Sequence, residues 1–265
     1  MTPELLAKER RLASLLQGEP LAVAWSGGVD SSYLAAVAAE VLGRDAVMVI
    51  ADSPSLPRRE LAEAIELAQA RGWTCEILPT DELSQADYVA NRGDRCYFCK
   101  DELFRRMGEW ARSKGISRLA YGAIMDDIGE HRPGARAAAE HAVLAPLQAA
   151  GLSKAEIRIL SAGRLLPTAS KPSFACLASR LPVGETVSAA KLSQIEMAEE
   201  ILRPLGFSQW RARHHGDTCR IEIPASEFPL LMARAAEINR RILALGYKHV
   251  SLDLGGYRSG SVNGV

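Results

Sequence analysis

The stretch LAVAWSGGVDSSYLAAVAAEVLG, residues 21–43, constrains the fold more than any other part of the chain. An apolar run ends in Ser-Gly-Gly, and the apolar residues that follow recur at helical spacing, so the segment reads as strand, tight loop and helix. Gly27 and Gly28 can adopt backbone angles closed to other residues and let the chain approach a ligand. The following helix start directs unpaired N–H groups and partial positive charge at an anion. Ser26, Ser31 and Ser32 add hydroxyl donors, and Asp30 offers a carboxylate to a Mg2+ ion on the same phosphates. The expectation is a pyrophosphate cradle; the competing reading is an ordinary strand-to-helix turn with a capping serine. No Gly-Lys-Ser/Thr ending and no Gly-x-Gly-x-x-Gly pattern accompanies it, so neither a Walker loop nor a dinucleotide fingerprint is present.

The same unit repeats in outline. AVMVIAD and TCEILPT read as strands, SLPRRELAEAIELAQARG and residues 100–114 as helices, and SRLAYGA as a further strand. Alternation of this kind predicts an α/β fold, a doubly wound parallel sheet with helices on both faces. Residues 123–187 read as short helices and connector. Beyond them a helix, a hairpin around Gly216-Asp217, another helix over EFPLLMARAAEINRRILALG and a closing strand predict a small α+β domain. The expected division is therefore 1–187 and 188–265.

Hydrophobic residues make up 48% and charged residues 24% of the 265, which fits a folded globular chain rather than a disordered one. A formal net charge of +0 argues against long polyanions, nucleic acid included, as partners. The opening residues read as an amphipathic helix without signal-peptide character, and no run reaches the roughly 20 apolar residues of a membrane span. The five cysteines do not make a complete disulfide set, so a reducing, cytoplasmic setting is expected.

Three cysteines stand out. Cys96 and Cys99 lie in RCYFCK and Cys176 in KPSFACLASR, with Arg95 and Lys100 beside the pair and Lys171 and Arg180 beside the third. Nearby positive charge favours the thiolate, which is the competent nucleophile and metal ligand. Cys75 and Cys219 fall inside strands and read as small buried hydrophobes.

The loop SGGVDSS resembles the PP-loop of the ATP pyrophosphatase superfamily, whose members cleave ATP between the α and β phosphates and adenylate a substrate oxygen. Together SGGVDSS, RCYFCK, YGAIMDDIGEHRPG, KPSFACLASR, RARHHGDTCRIEI and GYRSGSVN resemble the LarE family of ATP-dependent sulfur transferases. The resemblance runs from about residue 5 to the C-terminus. It implies a small mononucleotide substrate, pyridinium-3,5-biscarboxylic acid mononucleotide, whose carboxylates are adenylated with ATP and Mg2+ and then converted to thiocarboxylates. It also implies hexamers. In single-cysteine members the sulfur comes from the protein at the position of Cys176, leaving dehydroalanine. Three-cysteine members imply instead a 4Fe-4S cluster on Cys96, Cys99 and Cys176, one open iron carrying a sulfide that is replenished by a sulfide or persulfide donor. Structural zinc, with a fourth ligand from His131, His141, His214 or His215, or a reversible disulfide are the other readings of the Cys pair.

Arg211 and Arg213 alternate on one strand and share a face; the resemblance implies that they bind the substrate phosphate, with Ser179 and Arg180 near the reacting carboxylate. Gly122, Asp126 and Asp127 fall after a strand, at the edge where doubly wound sheets bind ligands, and the two aspartates read equally as ribose or Mg2+ contacts or as solvated residues. Trp25, Trp73, Trp110 and Trp210 read as packing residues. A tRNA thiolase, which the neutral charge disfavours, an amide-forming ligase, which has no need of three thiols, and a nucleotide-sensing module are the rival functions.

Overall fold

The computed structural model describes residues 2–129, 133–172 and 175–258. Along the chain run α1 (Pro3–Leu16), β1 (Leu21–Ala24), α2 (Val29–Leu42), β2 (Ala46–Asp52), α3 (Arg58–Arg71), β3 (Thr74–Pro79), α4 (Ala86–Ala90), α5 (Arg95–Ser113) and β4 (Arg118–Tyr121). They are followed by α6 (Pro133–Glu140), α7 (Pro146–Ala149), α8 (Lys154–Gly163), α9 (Ala189–Leu202), β5 (Arg211–His215), β6 (Thr218–Glu222), α10 (Phe228–Met232), α11 (Ala235–Leu243) and β7 (His249–Leu252). Two compact units result, Met1–Glu82 with Asp94–Phe174, and Leu83–Gly93 with Ala175–Val265.

The first unit is an α/β fold. Its four strands are all parallel in the order β3-β2-β1-β4. Central β1 is buried on both faces. Leu21 and Val23 point into a core with Leu12 of α1, Leu34 and Val37 of α2 and Ile157 of α8. Ala22 and Ala24 point the other way, against Phe104, Met107 and Ala111 of α5. A continuous apolar run is what a strand covered on both sides needs. The strand order reverses at β1, between β2 and β4, and the carboxyl ends beside such a switch point are where this class of sheet takes ligands.

The second unit packs α9, α10 and α11 on one face of a three-stranded sheet in the order β5-β6-β7. β5 and β6 form the expected hairpin, closed by Gly216 at φ +56, whereas β7 joins β6 in parallel. The single helix expected over 227–246 is two, because the Arg234 N–H turns back to the Leu231 carbonyl at 2.9 Å and interrupts the ladder.

The units part at 174/175 rather than at the 187/188 division drawn from sequence, and residues 83–93 join the second. The reason is local. Buried Asn91, at φ +49, donates to the carbonyls of Pro182 and Glu185 and accepts from the Gly184 N–H, while the Val187 N–H binds the Val89 carbonyl. These bonds stitch the 175–187 segment to the α4 excursion. Among the described residues no helix is long and apolar enough to cross a membrane.

Candidate active site

The loop between β1 and α2 is shaped from inside. Gly27 sits at φ +70, and a Cβ there would lie 3.1 Å from the Ala64 Cβ of α3, so the position demands both glycine's angles and its lack of bulk. Gly28 caps α2 without a side chain. The Ser26 N–H donates to Ser31 Oγ at 3.2 Å, and the two hydroxyls are 3.0 Å apart, which folds the loop over the helix start. Ser32 turns inward, accepting from the Trp25 indole N–H at 3.0 Å, and is fully buried. Trp25 meets Trp73 edge to face at 5.5 Å, as packing residues do. Gly122, just past β4, presses on the same helix start: a Cβ there would lie 3.0 Å from Ser31 N and 3.1 Å from Ser31 Cα. The β1 and β4 loops thus meet at the amino end of α2.

Asp30 is the charge at this end. Its Oδ2 accepts from the Lys154 ammonium at 2.6 Å, whereas buried Oδ1 has no hydrogen-bond partner among the described residues. Burial raises its carboxyl above the ordinary carboxylate value, and the nearby lysine only partly offsets the rise. An orphaned carboxylate oxygen at the start of α2 fits a hard divalent cation. Asp126 and Asp127 have structural partners instead. Asp126 accepts from the Lys154 N–H at 2.8 Å at the start of α8, and Asp127 from the Ile124 N–H at 3.0 Å. Lys154 is the site residue that sequence reading missed; SKAEIR reads only as a helix start, which it also is, with Ser153 and Glu156 capping each other's backbone.

Cys96 and Cys99 lie inside the first turns of α5, which begins at Arg95 and not near 100 as expected. A spacing of three places both thiols on one side of the helix near its positive end. Cys96 is exposed, and half-buried Cys99 lies 3.7 Å from Oε1 of buried Glu82, whose Oε2 accepts from Thr80. Of the flanking cations, Lys171 is spent on Glu60 and Glu63. Two of the histidines offered as zinc ligands are engaged elsewhere: His141 Nε2 with Asp101 at 2.7 Å, and His214 Nδ1 with Tyr247 at 3.1 Å. His131 lies outside the described residues. Among the described residues no three His, Cys, Asp or Glu side chains form a metal-holding group. Half-buried Cys75 has its thiol pushed up to about 11 by burial, and buried Cys219 to about 12.

In the second unit, half-buried Cys176 precedes a 3-10 turn, Leu177–Arg180. Arg180 does not reach outward. It is buried, pairs with Glu199 and donates to the carbonyls of Ala175 and Cys176 and to Ser179 Oγ, so it fixes the backbone around the thiol. Arg211 and Arg213 share the sheet face away from the core, as their alternation predicts. Arg213 binds Glu222 through Nε and Nη2 and the Ser179 carbonyl through Nη1 at 2.9 Å. Arg211 lies over the Tyr257 ring and donates to the Trp210 carbonyl at 2.7 Å. Burial, then the nearby Arg180 charge, push Arg211 below the ordinary arginine range, so an anion on this face would relieve cationic crowding.

Comparison with known proteins settles the kinship. The chain is 34% identical over 257 residues to the pyridinium-3,5-bisthiocarboxylic acid mononucleotide synthase of Lactiplantibacillus plantarum, covering 97% of this chain and 93% of that one. The chain belongs to the LarE family. It is also 39% identical over 245 residues to an uncharacterized protein of Synechocystis sp., covering 92% of this chain and 91% of that one. An uncharacterized protein of Methanocaldococcus jannaschii is 25% identical over 256 residues, 97% of this chain and 98% of its own. No protein-family model matches. In this chain the loop Ser26–Ser32 lies at the carboxyl end of β1, beside the switch point of the parallel sheet.

Proposed function

We propose that this LarE-family chain is an ATP-dependent sulfurtransferase that converts the carboxylates of pyridinium-3,5-biscarboxylic acid mononucleotide to thiocarboxylates. The observation that carries the reading is the identity of 34% across 97% of the chain to a relative named for making the bisthiocarboxylic acid product. A carboxylate oxygen is a poor leaving group, and adenylation converts it to AMP while releasing pyrophosphate. The loop Ser26–Ser32 and the α2 start would receive the polyphosphate through amide N–H groups and the positive helix end. Asp30 would hold Mg2+ through the oxygen left without a partner among the described residues. Arg211 and Arg213 would take the phosphate of the mononucleotide, and Ser179 would face its carboxylate.

The sulfur source is the second half of the proposal. Cys96, Cys99 and Cys176 would hold a 4Fe-4S cluster, which when bound supplies an open iron for an exchangeable sulfide. Two thiols one helical turn apart at the start of α5 suit such ligation. The alternative is a sacrificial Cys176 that yields its own sulfur. A homo-oligomer, hexameric by family resemblance, a reducing cytoplasm and a sulfide or persulfide donor complete the reading.

The test is anaerobic purification with iron, sulfide and zinc analysis, then turnover with ATP, Mg2+ and the biscarboxylic mononucleotide. Substrate-dependent pyrophosphate release and a thiocarboxylate product are expected, with bound iron and unchanged protein mass. Mass loss equal to one hydrogen sulfide molecule per chain would replace the cluster with Cys176 sacrifice. Absence of pyrophosphate release would overturn the enzyme assignment.

A further inference from the structure

Asp30 and Lys154 are 124 residues apart in sequence and bonded at 2.6 Å. Their side chains are 22% and 29% exposed, so the pair is largely withdrawn from water. The lysine backbone cannot wander. Ser153 caps α8, Glu156 closes the capping box, and the Asp126 carboxylate accepts the Lys154 N–H. α8 itself packs against α2, the helix that carries Asp30. What can move is the ammonium on its four-carbon stem, a compact charge with three donors. The next cation along α8, Arg158, already donates to the carbonyls of Ala169 and Lys171.

A divalent cation on the orphaned Oδ1 of Asp30 would face that ammonium across a single carboxylate. Two cations that close repel strongly in a site of reduced dielectric unless further negative charge lies between them. Polyphosphate supplies such charge, with oxygens for both the metal and a lysine. A role for this pair in nucleotide binding rests on the assignment of Ser26–Ser32 as the ATP loop.

We propose that Lys154 is a phosphate-binding residue that also guards the Asp30 cation site: it occupies Asp30 when no nucleotide is present and passes to the terminal phosphates of ATP when the metal arrives with them. The site therefore takes a divalent cation together with polyphosphate and rejects it alone. During adenylation, as the substrate carboxylate oxygen bonds to the α phosphorus, the same ammonium stabilises the departing pyrophosphate, whose negative charge increases as the bond between the α phosphorus and the bridging oxygen breaks.

The consequence is a pair of effects of opposite sign in one variant. Full-length wild type, Lys154→Met and Lys154→Arg are compared by calorimetry with Mg2+ and inorganic pyrophosphate, by calorimetry with AMP, and by electron paramagnetic resonance with Mn2+ alone. A charged hydrogen bond is worth about tenfold to hundredfold in affinity. Lys154→Met is expected to lose pyrophosphate affinity by about that factor, to gain about tenfold in affinity for Mn2+ alone, and to bind AMP within about twofold of wild type. Lys154→Arg, which keeps the charge, is expected to keep the rejection of Mn2+ and so shows the result is not one of misfolding. Unchanged pyrophosphate affinity, or unchanged Mn2+ affinity, in a folded Lys154→Met protein overturns the inference. Equal loss of AMP and pyrophosphate also overturns it, since Lys154 would then only hold the loop. Wild type that binds neither AMP nor pyrophosphate overturns the ATP-loop reading itself, and this inference with it.

Discussion

Arg180 grips Glu199 with Nε on Oε1 at 2.8 Å and Nη2 on Oε2 at 3.1 Å, both side chains being within the second unit. Glu199 Oε1 also accepts from the Ala212 N–H at 3.2 Å, so one ion pair joins α9, β5 and the turn after Cys176. Removing one member of a buried pair strands the other charge, and Arg180→Ala is expected to cost about 3–5 kcal/mol. Urea denaturation measures it. A variant as stable as wild type would show that Arg180 holds nothing together.

Gly122 touches the backbone of Ser31 so closely that any side chain must displace it, and backbone yields less readily than the end of a flexible side chain. Gly122→Ala is expected to weaken ATP binding at least about tenfold while costing only about 1–3 kcal/mol of stability, as overpacking does. Gly108→Ala, where the near neighbour is the tip of the Arg112 side chain at 3.4 Å, is the matched control, expected to leave ATP binding unchanged. Calorimetry with ATP on both variants decides whether contact with the loop is what matters.

The β1–loop–α2 unit was legible in the sequence because three local signals agreed: an apolar run, glycines where angles demand them, and apolar residues at helical spacing. The shared face of Arg211 and Arg213 was legible for a similar reason, since strand periodicity is local. Their partners were not. Glu222 meets Arg213 diagonally across the β5–β6 pair, and Lys154 meets Asp30 across 124 residues of chain. The start of α5 was misplaced because Cys and Tyr have weak helix preference, while its packing against the sheet lies further along, at Phe104 and Met107. The division at 174/175 depends on backbone bonds made by Asn91, which leave no mark in composition.

Asp126 illustrates how a residue with a suggestive position can have a plain duty. Its carboxylate accepts the first N–H of α8, where negative charge also suits the helix dipole. Asp126→Ala is expected to cost about 1 kcal/mol, the usual worth of such a cap. Asp126→Asn keeps an acceptor and is expected to cost less. Thermal unfolding ranks the two. A larger loss for Asn than for Ala would mean the carboxylate's contact with Lys154 N is not what anchors the helix.

Cys219 offers a pH signature for the second unit. It is fully buried beneath α9 and α11, and that burial pushes its thiol up to about 12. In the unfolded chain a thiol ionises near pH 8.5–9, roughly its ordinary value. Below that range both states keep the proton and the contribution is whole. As pH rises from about 9 toward about 12, only the unfolded state ionises, so stability falls with pH. Lysines and tyrosines titrate in the same range, so the comparison that isolates the thiol is wild type against Cys219→Ala, in urea midpoints at about pH 8, 9 and 10. The wild-type midpoint is expected to fall more steeply, although the variant starts lower for want of the buried sulfur. Iodoacetamide near pH 8 provides the companion measurement: exposed Cys96 is alkylated in the folded protein, whereas Cys219 reacts only as fast as the unit opens. Parallel pH slopes would mean that the Cys219 proton does not distinguish folded from unfolded chain.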